Sequence, residues 1–345
     1  MKNKSKNVLQ AVDFFCSAGG VTCGFKQAGI DVLGGIDIDE KCKETYEKNN
    51  DAKFLTADVS NLEIASLKKK FNIRLNQRNL IFIGCSPCQY YSTINTNKTK
   101  SKKTRLLLED FQDFVAYYRP GHVFIENVPG FEKKEGSPIN RFKEFLDRYG
   151  YAYDDKVLNA KNYGVAQSRK RYVLLASRIN KKIRLPVPIE NEIINVEDVI
   201  GNSILFPPIP AGHRDETDFM HTASGLEEIN IKRIQATPHN GGDRRSWPEE
   251  LQPDCYKNHI GHFDVYGRMS WNKPAPTITT RFNGYSNGRY GHPNQDRAIS
   301  IREGAVLQSF PIDYKFYSSN MGVIAKMIGN AVPPEFAKRL ALQFL

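Results

Sequence analysis

The chain has 345 residues, 40% hydrophobic and 25% charged, which is typical of a soluble globular protein that folds without disulfides or a structural metal. No apolar run is long enough to span a membrane and no signal-peptide core follows Met1 to Asn7, so we expect a cytoplasmic protein. Lysine and arginine total 49 against 38 aspartate and glutamate, and the net charge of +11 fits either a nucleic-acid partner or a solvated basic surface.

Short apolar runs alternate with amphipathic stretches through the first half of the chain. The runs typical of buried strands are Val12 to Phe15, Val32 to Ile36, Leu80 to Ile83, Val123 to Ile125 and Tyr172 to Ala176. Helical spacing occurs from Asp39 to Asn49 and from Leu106 to Tyr118. This alternation predicts an α/β fold with a mostly parallel sheet covered on both faces, and ligands bind at the carboxyl ends of such strands.

The second half of the chain has a different character. Prolines and glycine-rich turns interrupt it after about Arg184, which predicts a smaller and irregular domain. A terminal helix is predicted after Pro333, with Phe336, Leu340 and Phe344 on one apolar face that packs back on the first domain. We therefore divide the chain into a larger α/β domain (1–185), a smaller irregular domain (186–300) and a returning segment (301–345).

A glycine turn follows the first predicted strand. The segment from Asp13 to Gly20 lets a ligand approach the backbone, although it is not the phosphate-binding GxGxxG pattern and a plain tight turn remains open. Asp37 ends the second strand, where a carboxylate accepts hydrogen bonds from ribose hydroxyls, and Asp58 follows another short apolar run. An adenosine-containing ligand without a pyrophosphate fits this pattern better than a dinucleotide.

Six cysteines are too few for a disulfide scaffold, and one pair has CxxC spacing, Cys85 and Cys88. The pair follows the strand that ends at Gly84, where a nucleophile would face the ligand crevice. A thioredoxin-like redox pair is the rival interpretation, and zinc would need a second ligand pair that the sequence lacks. The basic run from Lys98 to Arg105 is either a solvated loop or a clamp on phosphates.

Six short segments stand out in order along the chain. They are Asp13 to Gly20, Pro87-Cys88-Gln89, Glu126-Asn127-Val128, Asn162 to Arg171, Arg302 to Pro311, and Gly329 to Pro334. Each resembles a motif of the DNA (cytosine-5)-methyltransferases, and the resemblance covers most of the chain. It implies a Rossmann-like, S-adenosylmethionine-dependent catalytic domain with a mostly parallel sheet and a smaller, irregular target recognition domain.

The resemblance also implies a cofactor site without a metal. The residues that it assigns to S-adenosylmethionine are Phe15, Ala18, Gly19, Gly20, Asp37, Ile38, Asp58, Val59, Pro87 and Asn330. Asp37 would bind the ribose and Ile38 would pack on the adenine. Ser17 stands where the family usually has glycine, which leaves the backbone path of the loop open.

By the same resemblance, Cys88 is the nucleophile that adds to carbon 6 of a flipped-out cytosine and thereby activates carbon 5. Glu126, protonated or sharing a proton with ring N3, would stabilise the charge that develops on the base. Arg169 would hold the base or its oxygen, and Arg171 would orient neighbouring groups or phosphate. A merely ion-paired Glu126 and a merely structural Arg171 remain open alternatives.

We expect the irregular region to recognise the DNA sequence. Its candidate residues are Arg244, Arg245, Arg268, Arg281, Arg289 and Arg297, interleaved with Trp247, Tyr256, Tyr266, Trp271, Phe282, Tyr285 and Tyr290. Pro274 to Arg281 resembles the end of the family's recognition region, with hydroxyls for phosphate. Lys161 to Arg184 holds eight basic and no acidic residues, and we expect it to meet the phosphate backbone beside the site. Ordinary loop packing is the alternative for each residue.

Two other functions remain open, a transfer-RNA methylase of the same fold and a catalytically silent DNA-binding protein. The transfer-RNA branch usually carries a Cys-Phe-Thr tripeptide that this sequence lacks, and an intact Pro87-Cys88-Gln89 with Glu126 argues against a silent protein. The histidines show no metal-ligand spacing. We therefore expect a monomeric bacterial or phage modification enzyme that acts on double-stranded DNA, with a restriction endonuclease as its candidate partner.

Overall fold

The computed structural model describes residues 8–87, 106–133, 137–189, 193–257, 261 and 263–345. The predicted nucleophile Cys88, its neighbour Gln89 and the basic run from Lys98 to Arg105 lie outside the described residues, as do His259 and His262.

One sheet of seven strands, counted over the described residues, has the order β3-β2-β1-β4-β5-β7-β6. The strands are β1 (Gln10–Phe14), β2 (Asp31–Asp37), β3 (Lys53–Thr56), β4 (Leu80–Gly84), β5 (His122–Asn127), β6 (Ala152–Asn159) and β7 (Lys170–Ser177). The first five are parallel, and β7 runs antiparallel to both of its neighbours. The predicted α/β fold with a mostly parallel sheet is confirmed.

Helices flank this sheet and continue through the second half of the chain. The described helices are α1 (Gly20–Gln27), α2 (Lys43–Asn50), α3 (Leu67–Phe71), α4 (Leu107–Tyr118), α5 (Pro138–Arg148), α6 (Val196–Ile200), α7 (Glu228–Gln235), α8 (Asp254–Lys257), α9 (Ile301–Leu307), α10 (Met321–Asn330) and α11 (Pro334–Ala341). None of these described helices has the length and apolar character that a membrane crossing requires.

Aromatic side chains fix the helices to the strands that carry the candidate site. The Phe14 ring on β1 makes edge-to-face contacts with Phe82 on β4 and with Phe111 and Phe114 on α4, at centroid distances of 5.1 to 5.2 Å. On the other side of the sheet, Phe25 of α1 contacts Phe124 of β5 at 5.5 Å. The carboxyl ends of β1, β4 and β5 are therefore held rigidly between packed helices.

The terminal helix packs against α1, as the sequence predicts. A Cβ atom added to Gly24 would lie 2.3 Å from the Pro334 carbonyl oxygen and 2.7 Å from the Ala337 Cβ. Only glycine permits so close an approach of α11 to α1.

The chain divides by its contacts into two compact units. The first contains Met1–Asn159, Lys170–Pro188 and Pro334–Leu345, and the second contains Ala160–Arg169 and Ile189–Pro333. These units assign residues 301–333 to the second unit, whereas we predicted that the whole segment 301–345 returns to the first domain. The functional division into domains remains a prediction.

The direction of β7 separates residues that the sequence places in one patch. Asn127 pairs with Tyr172 and His122 with Ser177, so β7 starts at the carboxyl edge of the parallel strands and ends at their amino edge. Lys170 and Arg171 thus lie near the end of β5, while the basic residues from Arg178 to Arg184 follow at the opposite edge. The prediction that the whole stretch from Lys161 to Arg184 lies beside the site is therefore wrong for its last part.

Candidate active site

The loop after β1 has an unusual backbone. Phe15, Ser17 and Gly19 have positive φ angles of 62°, 46° and 88°, which L side chains adopt rarely. The Ser17 amide donates to Asp37 Oδ2 and the Asp39 amide donates to Oδ1, both at 2.8 Å. Ser17 therefore takes a left-handed conformation at the position where the family usually has glycine, and hydrogen bonding to Asp37 compensates for the strain.

The predicted cofactor residues of the first unit lie along one edge of the sheet. Ala18, Gly19 and Gly20 are buried where the loop enters α1, and Val59 is buried after β3. Ile38 is an exception, because 68% of its surface is exposed although it follows a buried strand directly. Exposure of a large apolar side chain at this position leaves it free to pack against a ligand.

Asp58 is held by its own loop. Its carboxylate accepts hydrogen bonds from the Ser60 amide at 3.1 Å and from Asn61 Nδ2 at 3.2 Å. Since β1, β2 and β3 are parallel neighbours, Asp37 and Asp58 follow adjacent strand ends. Phe15 is half-buried and Pro87 is exposed at the ends of β1 and β4, whereas Asn330 is exposed at the end of α10 in the second unit.

The first residue of the glycine-turn segment, Asp13, carries a buried carboxyl that lies beneath the loop. Asp13 is fully buried, and its Oδ2 accepts a hydrogen bond of 2.7 Å from the Thr22 hydroxyl, which lies 2.9 Å from the Tyr46 hydroxyl. Burial, partly offset by the Thr22 hydrogen bond and reinforced by the charge of Asp37, raises the pKa of Asp13 to about 7. The group thus titrates near neutral pH under the loop.

Glu126 and Arg171 form an ion pair at the end of β5. Arg171 Nε lies 2.8 Å from Glu126 Oε1, with 15% and 10% of the two side chains exposed. Burial lowers the pKa of Arg171, while the charge and the hydrogen bond of Glu126 act in the opposite direction. The antiparallel pairing of β7 with β5 brings these two residues together, a juxtaposition that the sequence alone does not reveal.

The loop that leads from β4 toward Cys88 is fixed to the same place. Asn127 Nδ2 donates to the Ser86 carbonyl oxygen at 3.3 Å. Burial raises the pKa of the Cys85 thiol, and the nearby charges of Glu126 and Asp13 raise it further. Cys85 therefore remains a thiol, which makes it a poor nucleophile or redox partner at neutral pH.

Arg169 has main-chain partners in the second unit. Its Nη1 donates to the Ile278 carbonyl at 3.0 Å and its Nη2 to the Gly329 carbonyl at 3.2 Å. The Ile278 amide in turn donates to Gln167 Oε1 at 2.9 Å. Gln167 and Arg169 thus hold the main chain at Ile278, and Arg169 also holds the last turn of α10 at Gly329. We had predicted instead that Arg169 holds the base.

Three of the candidate base-recognising arginines are buried, and one of them, Arg244, donates from Nη2 to the Gly261 carbonyl oxygen at 2.6 Å. Arg268 and Arg297 are fully buried. Arg268 donates to the carbonyls of Thr237 and His292 at 3.0 Å each, and Arg297 binds both carboxylate oxygens of Glu303 at 2.7 and 2.8 Å. They satisfy carbonyl and carboxylate groups inside the second unit and therefore cannot reach DNA bases.

The aromatic candidates divide in the same way. Trp247, Phe282, Tyr285 and Tyr290 are buried in the second unit, whereas Tyr256, Tyr266 and Trp271 are half-buried. The Tyr290 hydroxyl donates to the Thr277 carbonyl at 2.8 Å, and the Thr277 hydroxyl donates to the Ser168 carbonyl at 2.8 Å. The hydroxyl of Thr277 that we predicted for phosphate therefore has a main-chain acceptor. Among the arginine candidates, Arg245 and Arg281 are exposed.

Comparison with known proteins identifies a family that matches nearly the whole chain. The family model of the C-5 cytosine-specific DNA methylases matches residues 9–345. The Type II methylase M.HgiDII of Herpetosiphon aurantiacus is 40% identical over 338 residues, 96% of this chain and 93% of the relative. The Type II methyltransferase M1.BsuMI of Bacillus subtilis (strain 168) is 30% identical and aligns with 100% of this chain and 83% of its own.

Solved structures of low sequence identity share the fold. A DNA modification methyltransferase encoded within an E. coli prophage has a TM-score of 0.74 at 20% identity, with 97% of this chain and 98% of that chain covered. The S. pombe Dnmt2 methyltransferase has a TM-score of 0.64 at 17% identity, with 96% and 97% covered. From the family match along nearly the whole chain and from relatives at 30% and 40% identity, we conclude that this protein belongs to the C-5 cytosine-specific DNA methylases.

Proposed function

We propose that this enzyme transfers a methyl group from S-adenosylmethionine to carbon 5 of a flipped-out cytosine in a specific double-stranded DNA sequence, through a covalent adduct with Cys88. The observation that supports the proposal best is the Glu126–Arg171 ion pair, which lies beside the loop that leads to Cys88. A carboxyl group and a fixed guanidinium at a strand end suit the polar edge of a pyrimidine.

The residues at the carboxyl edge fit the proposed cofactor. The Asp37 carboxylate, which two amides fix at the end of β2, is the group that we assign to the ribose hydroxyls, and the exposed Ile38 offers an apolar surface for adenine. We assign Phe15, Ala18, Gly19, Gly20, Asp58, Val59, Pro87 and Asn330 to the same site. S-adenosylmethionine supplies a methyl group on a sulfonium, which is electrophilic toward carbon 5.

Cys88, Glu126 and Arg171 are the residues that we expect to act on the cytosine ring. The thiolate of Cys88 bonds to carbon 6 of cytosine, which makes carbons 4 to 6 an enamine that is nucleophilic at carbon 5. Glu126 shares a proton with ring N3, and Arg171 holds the Glu126 carboxyl in place. After methylation of carbon 5, loss of its proton and departure of the Cys88 sulfur restore the aromatic ring.

We assign Arg169 a positioning role in this reaction. Its two donors hold the main chain at Ile278 and Gly329, and Asn330 follows directly. Arg169 would thereby fix the closing motif of the cofactor site instead of touching the base itself.

The biological setting that we propose is DNA modification. The named relatives are Type II methylases, so we infer a cytoplasmic, monomeric enzyme that protects DNA against a partner restriction endonuclease.

Because a duplex hides both faces of the base, protein contacts must offset an unstacking cost of a few kcal/mol.

One experiment tests the proposal. Purified protein is incubated with labelled S-adenosylmethionine and either unmethylated plasmid DNA or transfer RNA, and bisulfite sequencing then locates the modified cytosines. We expect label in DNA at one recurring sequence, and label in transfer RNA alone would contradict the proposal.

Two variants test the nucleophile in the same assay. Cys88→Ser should abolish methyl transfer with DNA binding largely retained, while the matched control Cys85→Ala should keep most activity. Retained transfer by Cys88→Ser would exclude the covalent mechanism, and loss of transfer in Cys85→Ala would favour a dithiol mechanism.

A further inference from the structure

Three segments of the first unit meet at the amino edge of the sheet, which is opposite the candidate active site. They are residues 67–79 before β4, 117–122 before β5 and 178–184 after β7. Main-chain hydrogen bonds join them, from Asn76 to Tyr118 at 2.7 Å, from Gly121 to Gln77 at 3.0 Å and from Arg178 to Gly121 at 3.0 Å. The three segments thus form one continuous surface.

This surface is strongly basic. We call it the amino-edge basic surface, and its ten cationic residues are Lys68, Lys69, Lys70, Arg74, Arg78, Arg119, Arg178, Lys181, Lys182 and Arg184. The three segments contain no aspartate or glutamate. Nine of the ten side chains are exposed and Arg178 is half-buried.

These cations lack carboxylate partners within the described chain, in contrast to basic residues elsewhere in the first unit. Lys143 pairs with Asp155 at 2.5 Å, Arg141 with Glu109 at 2.5 Å and Lys48 with Glu44 at 2.7 Å. Described carboxylates lie just outside this surface: Asp31 accepts from Gln10, which accepts from Gln77, and Asp154 accepts from the amide of Leu185, the residue after Arg184. Mutual repulsion among ten cations is a cost that a polyanionic partner would relieve.

The shape and composition of the surface favour phosphate over protein. A cavity of about 600 Å³ lies within it, lined by Arg74, Arg78 and the amide side chains of Asn76, Gln77 and Asn79 and also by apolar residues that include Leu75, Ile179 and Phe344. Guanidinium and amide donors are the groups that contact DNA phosphates. Leu75 and Tyr117 are exposed here by 42% and 41%, and Lys68 Nζ lies 5.6 Å from the Tyr117 ring. A stable protein interface would need a larger apolar centre.

We propose that the amino-edge basic surface binds the phosphate backbone of duplex DNA outside the target sequence. Strand β5 runs from His122, which belongs to this surface, to Asn127 beside Glu126, and these five residue steps span about 17 Å at about 3.3 Å per residue. DNA bound there therefore does not occupy the catalytic edge. The inference rests on the proposed action on DNA and adds a second contact region, which would retain the enzyme on DNA between target sites.

The test uses duplex poly(dA-dT), which contains no cytosine and therefore no target base. Two double variants, Lys69→Gln/Lys70→Gln and Lys181→Gln/Lys182→Gln, remove exposed charges from two of the three segments. Lys48→Gln/Lys156→Gln is the matched control, because both lysines are exposed and lie outside the surface. Binding is measured as a function of salt concentration.

We expect each surface variant to bind poly(dA-dT) more weakly and to reduce the slope of log K against log salt by about 2, because each lost phosphate contact removes about 0.9. The control should keep the wild-type slope, and methyl transfer to plasmid DNA at saturation should be unchanged in all variants. Wild-type slopes in both surface variants would overturn the proposal. Binding of each protein to polyglutamate is measured in parallel as a probe for an acidic protein partner. Surface variants that lose binding to polyglutamate but bind duplex DNA as the wild type does would also overturn the proposal, in favour of such a partner.

The two proposals fail separately. If the wild-type protein transfers no methyl group to plasmid DNA, the proposed function is wrong whatever the salt slopes are. If it does transfer methyl groups while the surface variants bind poly(dA-dT) as the wild type does, the proposed function stands and the second contact region is wrong.

Discussion

Two carboxyl groups near the carboxyl edge of the sheet have opposite surroundings. Glu126 faces the Arg171 guanidinium at 2.8 Å, whereas Asp13 is fully buried between the Thr22 hydroxyl and the charge of Asp37. Environments that differ in this way give the same functional group different tasks.

Glu126→Gln should lower kcat for methyl transfer by about 10²- to 10⁴-fold, the usual contribution of a proton-transfer group. The amide oxygen can still accept from Arg171, so folding and cofactor binding should change little. The exposed Glu44 on α2 provides a matched control, Glu44→Gln. Steady-state kinetics with plasmid DNA check the prediction, and kcat within a factor of two in Glu126→Gln would contradict the assigned role.

Asp13 should make the stability of the enzyme depend on pH. Its pKa rises from 3.8 to about 7 on folding, so between these values the folded protein holds a proton that the unfolded chain releases. The free energy of unfolding therefore falls as pH rises from about 4 to about 7. Asp13→Asn removes this titration while an acceptor for Thr22 remains.

Urea unfolding of both proteins at about pH 5 and about pH 8 measures this effect. Relative to Asp13→Asn, the wild type should be less stable at the higher pH than at the lower. An equal difference between the two proteins at both values would show that Asp13 does not titrate in this range.

The sequence indicates candidate site residues but does not reveal the environments of the arginines. Motif spacing predicts Glu126 and Arg171, and the position after a buried strand predicts Asp37. Nothing in the sequence distinguishes Arg268, which donates to main-chain carbonyls inside the second unit, from an arginine that faces DNA. The reason is physical, since all guanidinium donors are alike and only tertiary structure decides which acceptors surround them.

At the scale of elements, helix α9 depends on a buried ion pair. Ser300 and Glu303 form a capping box at its start, and Glu303 binds Arg297 with both side chains fully buried. Burial alone would raise the pKa of Glu303, but the hydrogen bonds and charge of Arg297 lower it to about 2. The segment from Arg302 to Pro311, which resembles the part of the family that supports the recognition domain, is thus held to the preceding chain by the ion pair between Glu303 and Arg297.

Glu303→Gln should destabilise the protein by about 3–5 kcal/mol, because it leaves the buried Arg297 without its charge partner. Glu228→Gln on α7 breaks an exposed pair with Lys232 and serves as the control, with no measurable change expected. Chemical denaturation tests both variants. A Glu303→Gln protein as stable as wild type would show that the pair contributes nothing to the fold.

The sequence locates strands whose residues are fully buried, but it does not reveal a strand whose residues are half-buried. The strands β1, β4 and β5 are short apolar runs, and the sequence locates them closely. Strand β6 is mostly half-buried and includes Asp154, Asp155 and Lys156, so its apolar pattern is too weak to detect. The antiparallel direction of β7 leaves no mark in the sequence, and the predicted basic patch was therefore divided between two edges.

At the scale of the whole molecule, the net charge of +11 is not spread evenly. Some arginines are buried structural donors, others are paired at the surface, and the amino-edge basic surface holds ten cations in three short segments. Total charge predicts a polyanionic partner, but only the fold shows where that charge collects. The basic residues beside the Glu126–Arg171 pair and those of the amino-edge basic surface therefore lie at opposite edges of the sheet.

The measurement that tests the central claim most directly is the identification of a protein–DNA crosslink. A random-sequence duplex in which 5-fluorocytosine replaces cytosine, incubated with the enzyme and S-adenosylmethionine, offers no proton to lose at carbon 5, so the adduct should persist. We predict a denaturant-resistant complex in which peptide mass spectrometry assigns the pyrimidine to Cys88. An enzyme that methylates normal DNA but forms no adduct, or forms one at Cys85, would contradict the account.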